Sequence, residues 1–362
     1  MENNKWILEL ECKPDFEMAM KRVYAWYEQE IIDRAPIRFS AHNEEFSHKD
    51  IKPERKWNSL KDRWFDAEFQ VESYMDSIKG RKFLAETFPV FWPNLGPDVY
   101  AAFYGTEMEY KEVTTFSIPI INDWDDIIRL ELDMQNKYFK KIEELTYLAL
   151  ERCNGKFMVG FTDLMPGMDC VAAWRNPQQL CIDMCLDPDK VKQLGDLACR
   201  DFHLIYDHFD DILKKNNQLS VTWMGIPSFS KMHIPSCDNS AMISIEQFEE
   251  FCLPSINHEV KGITHNIFHL DGKGVARHVD IILQIKEINA IQWVQGMGMD
   301  TPILQWVPLL KKIQAAGKSL VVDIQLDEIE DFIRIMDPKG IMLCISADEA
   351  IQPDIIKRVE KW

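Results

Sequence analysis

The segment His269-Leu270-Asp271-Gly272 sets an imidazole and a carboxylate two residues apart. On a β-strand that spacing turns both side chains to one face, where the pair can ligate Zn²⁺, relay a proton or grip a ligand hydroxyl. A structural reading is also open, in which Asp271 caps the following helix and His269 is hydrogen-bonded in the core. As a metal site the pair alone is incomplete, because zinc takes three or four protein ligands. Asp163, in GFTDLMPGMD, stands where a strand runs into a Pro-Gly turn and reads as a catalytic carboxylate or as a turn former. Asp238, in IPSCDNSAMIS, reads as a ligand contact or a turn residue. Trp92, Trp223, Trp293 and Trp306 fall near strand ends. We therefore expect a mostly apolar mouth for a flat or methyl-rich ligand, bound by Trp92, Asn94, Trp223, Asp238, Trp293 and Gln295, although the core is the commoner place for such rings.

Other motifs are weaker. GKGVAR (272–277) and GMGMDT (296–301) each follow a strand and open a helix, but Arg277 and Thr301 stand where a dinucleotide fingerprint needs a small residue for close helix packing. P-loop, GxSxG and HExxH patterns are absent from the sequence, so no nucleotide cofactor is expected.

These residues need a scaffold, and short β-type runs separated by helical stretches supply one. Eight such runs are legible, at 36–40, 88–94, 157–164, 219–225, 265–272, 290–296, 320–326 and 341–347. Between the last four, helical patterns occupy 274–284, 302–316 and 327–336. Repeated βα units with eight strands favour a single closed (β/α)₈ barrel, whose active site lies at the C-terminal strand ends. Asp327 with Glu330, and Ser244 with Gln247, read as capping boxes. Residues 187–215 read as one long amphipathic helix opened by Pro188. Residues 41–87 and 95–156 read as long insertions after strands one and two, the second holding a strand-like run at 113–121. Residues 1–35 form a helical extension, of which the amphipathic stretch 16–34 should pack across the barrel's bottom, so that 1–362 is one domain.

Composition bounds the function. A chain of 362 residues with 46% hydrophobic and 28% charged residues can bury a large core and is not of the disordered class. Its 41 Lys and Arg against 59 Asp and Glu leave a net charge of −18, which disfavours nucleic acid and anionic membranes as partners. The nine cysteines contain no CxxC pair, the chain opens MENNKWILELE without a signal-peptide pattern, and no apolar run reaches about 18 residues. These features lead us to expect a soluble cytoplasmic protein with reduced thiols.

The segments FPVFWPNLGPDVYAAFYG (88–105), GFTDLMPGMDCVAAWRN (160–176), CDNSAMISIEQFEEFCLP (237–254) and HNIFHLDGKGVARHVDIILQIKEINAIQWVQGMG (265–298) resemble the uroporphyrinogen decarboxylase-like superfamily, in a subgroup of unsettled function. The likeness spans roughly residues 15–360 and implies a (β/α)₈ barrel. The superfamily holds uroporphyrinogen decarboxylases and cobalamin-dependent methyltransferases that pass a methyl group between a corrinoid and a thiol. Decarboxylases carry an RQAGRY segment where this chain reads RAPIRFSAHN (34–43), and a His in the last strand region where it reads LCISADEA (343–350). Methyltransferases of the family bind zinc through His-x-Cys and a later Cys. Against that pattern His269 matches the first ligand, Asp271 replaces the first Cys, and the last position falls near Ala347 with Cys344 three residues earlier, which implies a site of His269, Asp271 and Cys344. The resemblance thus implies a corrinoid-linked methyltransferase acting on a small molecule, with catalytic Asp163, His269 and Asp271, zinc, and a corrinoid-carrying partner. Its alternatives are a decarboxylase of a tetrapyrrole or other carboxylate, with Asp163 as general acid, and a non-catalytic ligand-binding barrel. Likeness to the decarboxylases implies a homodimer.

Overall fold

The apolar, β-branched runs of the sequence form strands in a computed structural model that describes residues 8–40 and 55–362. Among these residues the strands are β1 (Ile37–Ser40), β2 (Val90–Phe91), β3 (Glu107–Tyr110), β4 (Thr115–Ile118), β5 (Met158–Val159), β6 (Met232–His233), β7 (His265–Asp271), β8 (Ile288–Val294), β9 (Ser319–Asp323) and β10 (Ile341–Ser346). Six of them make one curled parallel sheet in the order β1-β10-β9-β8-β7-β6, while β2 pairs in parallel with β5 and β3 with β4 as an antiparallel hairpin. Burial on both faces explains why the central strands read as unbroken apolar runs: Leu320, Val321 and Val322 of β9 and Ile341 to Ile345 of β10 are all inside. The result is a mixed α/β fold with helices packed outside a parallel sheet.

Among the described residues a continuous eight-stranded ladder is not formed, and two local causes are visible. The expected strand 219–225 is only an isolated antiparallel bridge between Ser220 and Ser228, because the chain turns at Gly225, whose φ is 67° and whose N–H bonds Thr222 O at 2.8 Å. The sheet strand of this region is β6, further along. The segment still connects the two parallel sheets, since Val221 O accepts from Phe161 N at 2.9 Å and Ser220 Oγ accepts from Met232 N at 3.0 Å. Between β1 and β2, side chains replace the ladder: Ile37 N donates to Glu86 Oε2 (2.8 Å) and Phe39 N to Thr87 Oγ1 (2.9 Å).

Several helices differ from the expected spans. The 274–284 stretch forms two short helices, Gly272–Ala276 and Val279–Ile282, separated by His278, whose ring stacks on Phe248 at 4.4 Å and whose Nε2 meets Ser240 O at 3.0 Å. The 302–316 stretch opens with a 3₁₀ turn, Ile303–Trp306, before the helix Val307–Ala315. The helix Ile329–Ile335 is not capped by Asp327. Glu328 precedes it, and its carboxylate accepts instead from Leu304 N and Gln325 N. Ser244 and Gln247 do form the capping box. The long 187–215 helix breaks at Asp201 into Pro188–Arg200 and Phe202–Lys215.

Within the insertions lie the helices Leu60–Trp64, Ala67–Ser77, Val99–Ala102 and Lys137–Cys153 and the β3–β4 hairpin; residues 41–54 of the first fall outside the described residues. The N-terminal helix Phe16–Tyr27 lies under the sheet as expected. Trp26 Nε1 donates to Leu320 O at 3.0 Å, Ser319 Oγ donates to Trp26 O, and Tyr27 stacks on His265 at 4.0 Å, all at strand beginnings. No helix among the described residues is long and apolar enough to cross a membrane.

Glu86 joins this end of the fold together. Fully buried, it binds Arg34 at 2.7 and 3.0 Å, Arg22 at 3.1 Å and the Ile37 amide. Glu86→Ala would leave the Arg34 guanidinium inside without its counter-charge, so urea unfolding should show a loss of about 3–5 kcal/mol; a change within 0.5 kcal/mol, the range of an ordinary surface substitution, would show that the pair is not structural.

Candidate functional site

The two-residue period of β7 and β8 determines what reaches the strand-end cavity. His269 is in register with Gln292, Leu270 with Trp293 and Asp271 with Val294, so His269, Gln292 and Asp271 share one face while Leu270 and Trp293 share the other. Across the strands, His269 Nδ1 and Gln292 Oε1 lie 2.6 Å apart. The amide oxygen can only accept, so Nδ1 carries the proton and Nε2 keeps its lone pair. Trp223 meets the imidazole edge-on, with ring centroids 5.4 Å apart.

Asp238 is brought to the same place by a second carboxylate. Asp169, in the first turn of the helix Gly167–Arg175, accepts from Ser236 Oγ (3.2 Å), Asp238 N (2.9 Å) and Asn239 N (2.9 Å). This grip lays the 235–239 segment beside β7, where His269 N donates to Pro235 O at 2.9 Å. One ligand atom each of Asp238, His269 and Asp271 then lies within 4.8 Å of the others.

Beneath them is a cavity of ≈ 170 Å³ lined by Pro97, Asp163, Met165, Trp223, Ile234, Ser236, Asp238 and His269. A larger hollow of ≈ 260 Å³ lies on the outer helices, bounded by Tyr147, His208, Asp211, Ile212, Lys215 and Asn216. The smaller one is the better candidate, because buried ionisable groups converge on it. Burial pushes the Asp163 carboxyl up to about 7, against a lowering contact with the Leu164 backbone and with help from the charges of Asp169 and Asp98. Asp238 is pushed up to about 8, first by burial and then by Asp169, Asp271 and Asp163. Asp169 is raised too, burial outweighing its three hydrogen bonds. Near neutral pH the cavity thus holds more carboxylate than it can ionise without a cation.

The remaining residues singled out in the sequence are placed as follows. Trp293 is fully buried on the opposite face of β8, packed on Trp306 at 4.9 Å, and does not line the cavity. Gln295 Nε2 donates to Thr301 O and Asp323 O, both at 3.0 Å, anchoring the loop after β8. Asn94 Oδ1 accepts from Gly96 N at 2.7 Å and shapes the turn that presents Pro97. Trp92 is half-buried with its indole N–H lacking a partner. Cys344 is buried on β10, in register with Arg38 of β1 and Asp323 of β9, and does not join the group of Asp238, His269 and Asp271.

Asp169, Gln292, Ser236, Ile234, Met165 and Pro97 were not singled out as binding or catalytic residues by the sequence. For Asp169 a signal existed: it stands six residues after Asp163 across Pro166-Gly167, a strand end followed by a helix first turn, which directs both carboxylates toward the same end of the sheet.

No protein-family model matches this chain, and no curated protein does. Among solved structures it is similar to a methyltransferase from Methanosarcina mazei, with a TM-score of 0.61 and 9% sequence identity over 94% of this chain and 96% of that one. At that identity the likeness is one of fold.

The raised Asp163 carboxyl makes stability pH-dependent. A carboxyl whose folded pKa, about 7, exceeds its unfolded value, about 4, stabilises the fold fully below pH 4 and progressively less as pH rises toward 7. Asp163→Asn removes that loss, so its urea midpoint relative to the parent should rise between pH 4 and pH 7; a constant difference across that range would refute the burial of this charge.

Proposed function

We propose that this chain is a methyltransferase that handles a one-carbon group on a small molecule in the cavity at the strand ends. The observation that carries the reading is the convergence of Asp163, Asp238 and His269 on one partly apolar cavity next to Trp223. The methyltransferase-like fold supports it, as does the resemblance seen in the sequence. In this reading the two parallel sheets, joined through Val221 and Glu86, act as one (β/α)₈ barrel of a single domain, working in the cytoplasm with a corrinoid-carrying protein as exchange partner.

The residues present suit a divalent metal ion, with a ligand set different from the one the resemblance implied. Asp238 Oδ1 is buried without a hydrogen-bond partner, and the Gln292 contact leaves His269 Nε2 able to ligate. With Asp271 this makes one nitrogen and two oxygen donors, a harder set than one containing Cys344, and still acceptable to zinc. A bound ion would supply Lewis-acid stabilisation of an anionic substrate atom such as a thiolate. The protein's own groups have separate tasks. Gln292 holds the His269 ring in one tautomer, Asp169 positions Asp238, and Asp163 holds a proton or a cation inside the cavity.

A second reading keeps one specific support. With its carboxyl pushed up to about 7, Asp163 is largely protonated in mildly acidic solution and can deliver a proton to a carbon that loses CO₂, as a decarboxylase requires. Release of CO₂ from a carboxylate substrate, abolished in Asp163→Asn, would select it over methyl transfer.

Metal titration by calorimetry tests the proposed site. The parent should take up one Zn²⁺ or Mn²⁺ per chain, His269→Ala and Asp238→Asn should each weaken binding about 100-fold, and Cys344→Ser should leave it unchanged. Uptake that survives His269→Ala, or that is lost in Cys344→Ser, overturns this ligand set.

A further inference from the structure

We infer that the methyl donor taken by the cavity is a small onium, an ammonium or sulfonium bearing methyl groups, with Asp163 as its counter-ion and Trp223 as an aromatic wall. This rests on the methyl-transfer reading above and names its substrate class.

Size comes first. A volume of ≈ 170 Å³ is below the ~300 Å³ at which pockets for drug-sized ligands begin. That is room for a ligand of a few heavy atoms. The wall chemistry then narrows the choice. Among the described residues its charged members are the carboxylates Asp163 and Asp238, with no Lys or Arg in the wall, which disfavours an anion. Pro97, Met165, Ile234 and Trp223 supply apolar surface. An unmethylated ammonium needs a hydrogen-bond acceptor on every N–H, and while Asp163, Asp238 and Ser236 can accept, the apolar side of the wall formed by these four side chains gives almost none. A neutral molecule leaves the Asp163 charge without a partner at this depth. A methylated onium meets both demands: its charge is spread over methyl groups that need no hydrogen bonds, and it is attracted by an indole face and tolerated by a polarisable thioether.

Charge bookkeeping agrees. A divalent ion at Asp238, Asp271 and His269 is neutralised by its two carboxylates, and Asp163 is the cavity carboxylate left over. The groups acting on Asp163 are the Leu164 backbone and the carboxylates Asp169 and Asp98; Asp238 and the His269 imidazole share its cavity. No Lys or Arg is among these groups. The transfer balances without an oxidant or a proton: the acceptor, a thiolate or a reduced corrinoid, brings the electron pair of the new bond to carbon. The broken C–N or C–S pair stays with the heteroatom, which leaves as a neutral amine or thioether.

Calorimetry on the full chain should compare choline with 3,3-dimethylbutan-1-ol, its uncharged counterpart of the same shape. Choline should bind at least about tenfold tighter. In Asp163→Asn the preference should vanish, and Trp223→Leu should weaken choline more than the alcohol. Equal binding of the two compounds, or a preference that persists in Asp163→Asn, overturns the inference. Methyl-labelled donors keep the two readings apart. Preferential choline binding with no label passed to any thiol or corrinoid supports the onium site and ends the methyltransferase reading; label passed from methanol by a protein without onium preference does the reverse.

Discussion

The grip of the Asp169 carboxylate on Ser236, Asp238 and Asn239 organises the strand-end site. A carboxylate in the first turn of a helix is stabilised by the unsatisfied amides and dipole of that turn. Here it reaches out of the helix Gly167–Arg175 to two further amides and a hydroxyl from another segment. The pairing of β6 with β7 continues to Ser236 beside His269, and the Asp169 grip holds the turn that follows, so that Asp238 stands next to His269 and Asp271. The same negative charge then acts on its neighbours: it helps to raise both Asp163 and Asp238, so one group sets the geometry and the electrostatics of the cavity together.

The two ends of the sheet treat buried carboxylates in opposite ways. At the strand beginnings Glu86 is surrounded by two guanidiniums and a backbone amide, and its charge is matched inside the protein. At the strand ends the carboxylates of the cavity wall face one another and apolar side chains, and no Lys or Arg among the described residues lines the wall to match them. The first arrangement is complete and serves stability. The second is incomplete until a proton, a metal ion or a cationic ligand arrives, which is the physical property expected of a site. An overall charge of −18 says only that the protein is acidic; the placement of a few aspartates says where that acidity acts.

Much of the scaffold was legible because burial on both faces of a parallel sheet leaves a strong apolar signature, as in β7 to β10, and because Ser244 and Gln247 form their capping box through contacts within four residues. The run 219–225 carried the same signature and failed, since a turn at Gly225 and the bridge to Ser228 displaced the paired strand to Met232. Trp293 looked like a mouth residue from its position near a strand end. Adjacent residues on a strand point to opposite faces, so once Gln292 meets His269, Trp293 has to point away. Cys344 stands three residues before Ala347, near which the family pattern places its last ligand, and no rule of spacing along the chain brings β10 within ligating distance of β7.

The sequence by itself determined the local features: alternating βα character, the shared face of His269 and Asp271, the strand-end position of Asp163 and the acidic composition. Each depends on residue type and on a fixed period or a short separation. The tertiary structure decided which of those residues meet. Asp238 joins His269 through a carboxylate 69 residues earlier in the chain, Asp163 becomes hard to ionise through burial by distant segments, and the cavity takes its size from side chains spread from Pro97 to His269. Desolvation and long-range approach are properties of the packed molecule, and neither is written in the spacing of residues along the chain.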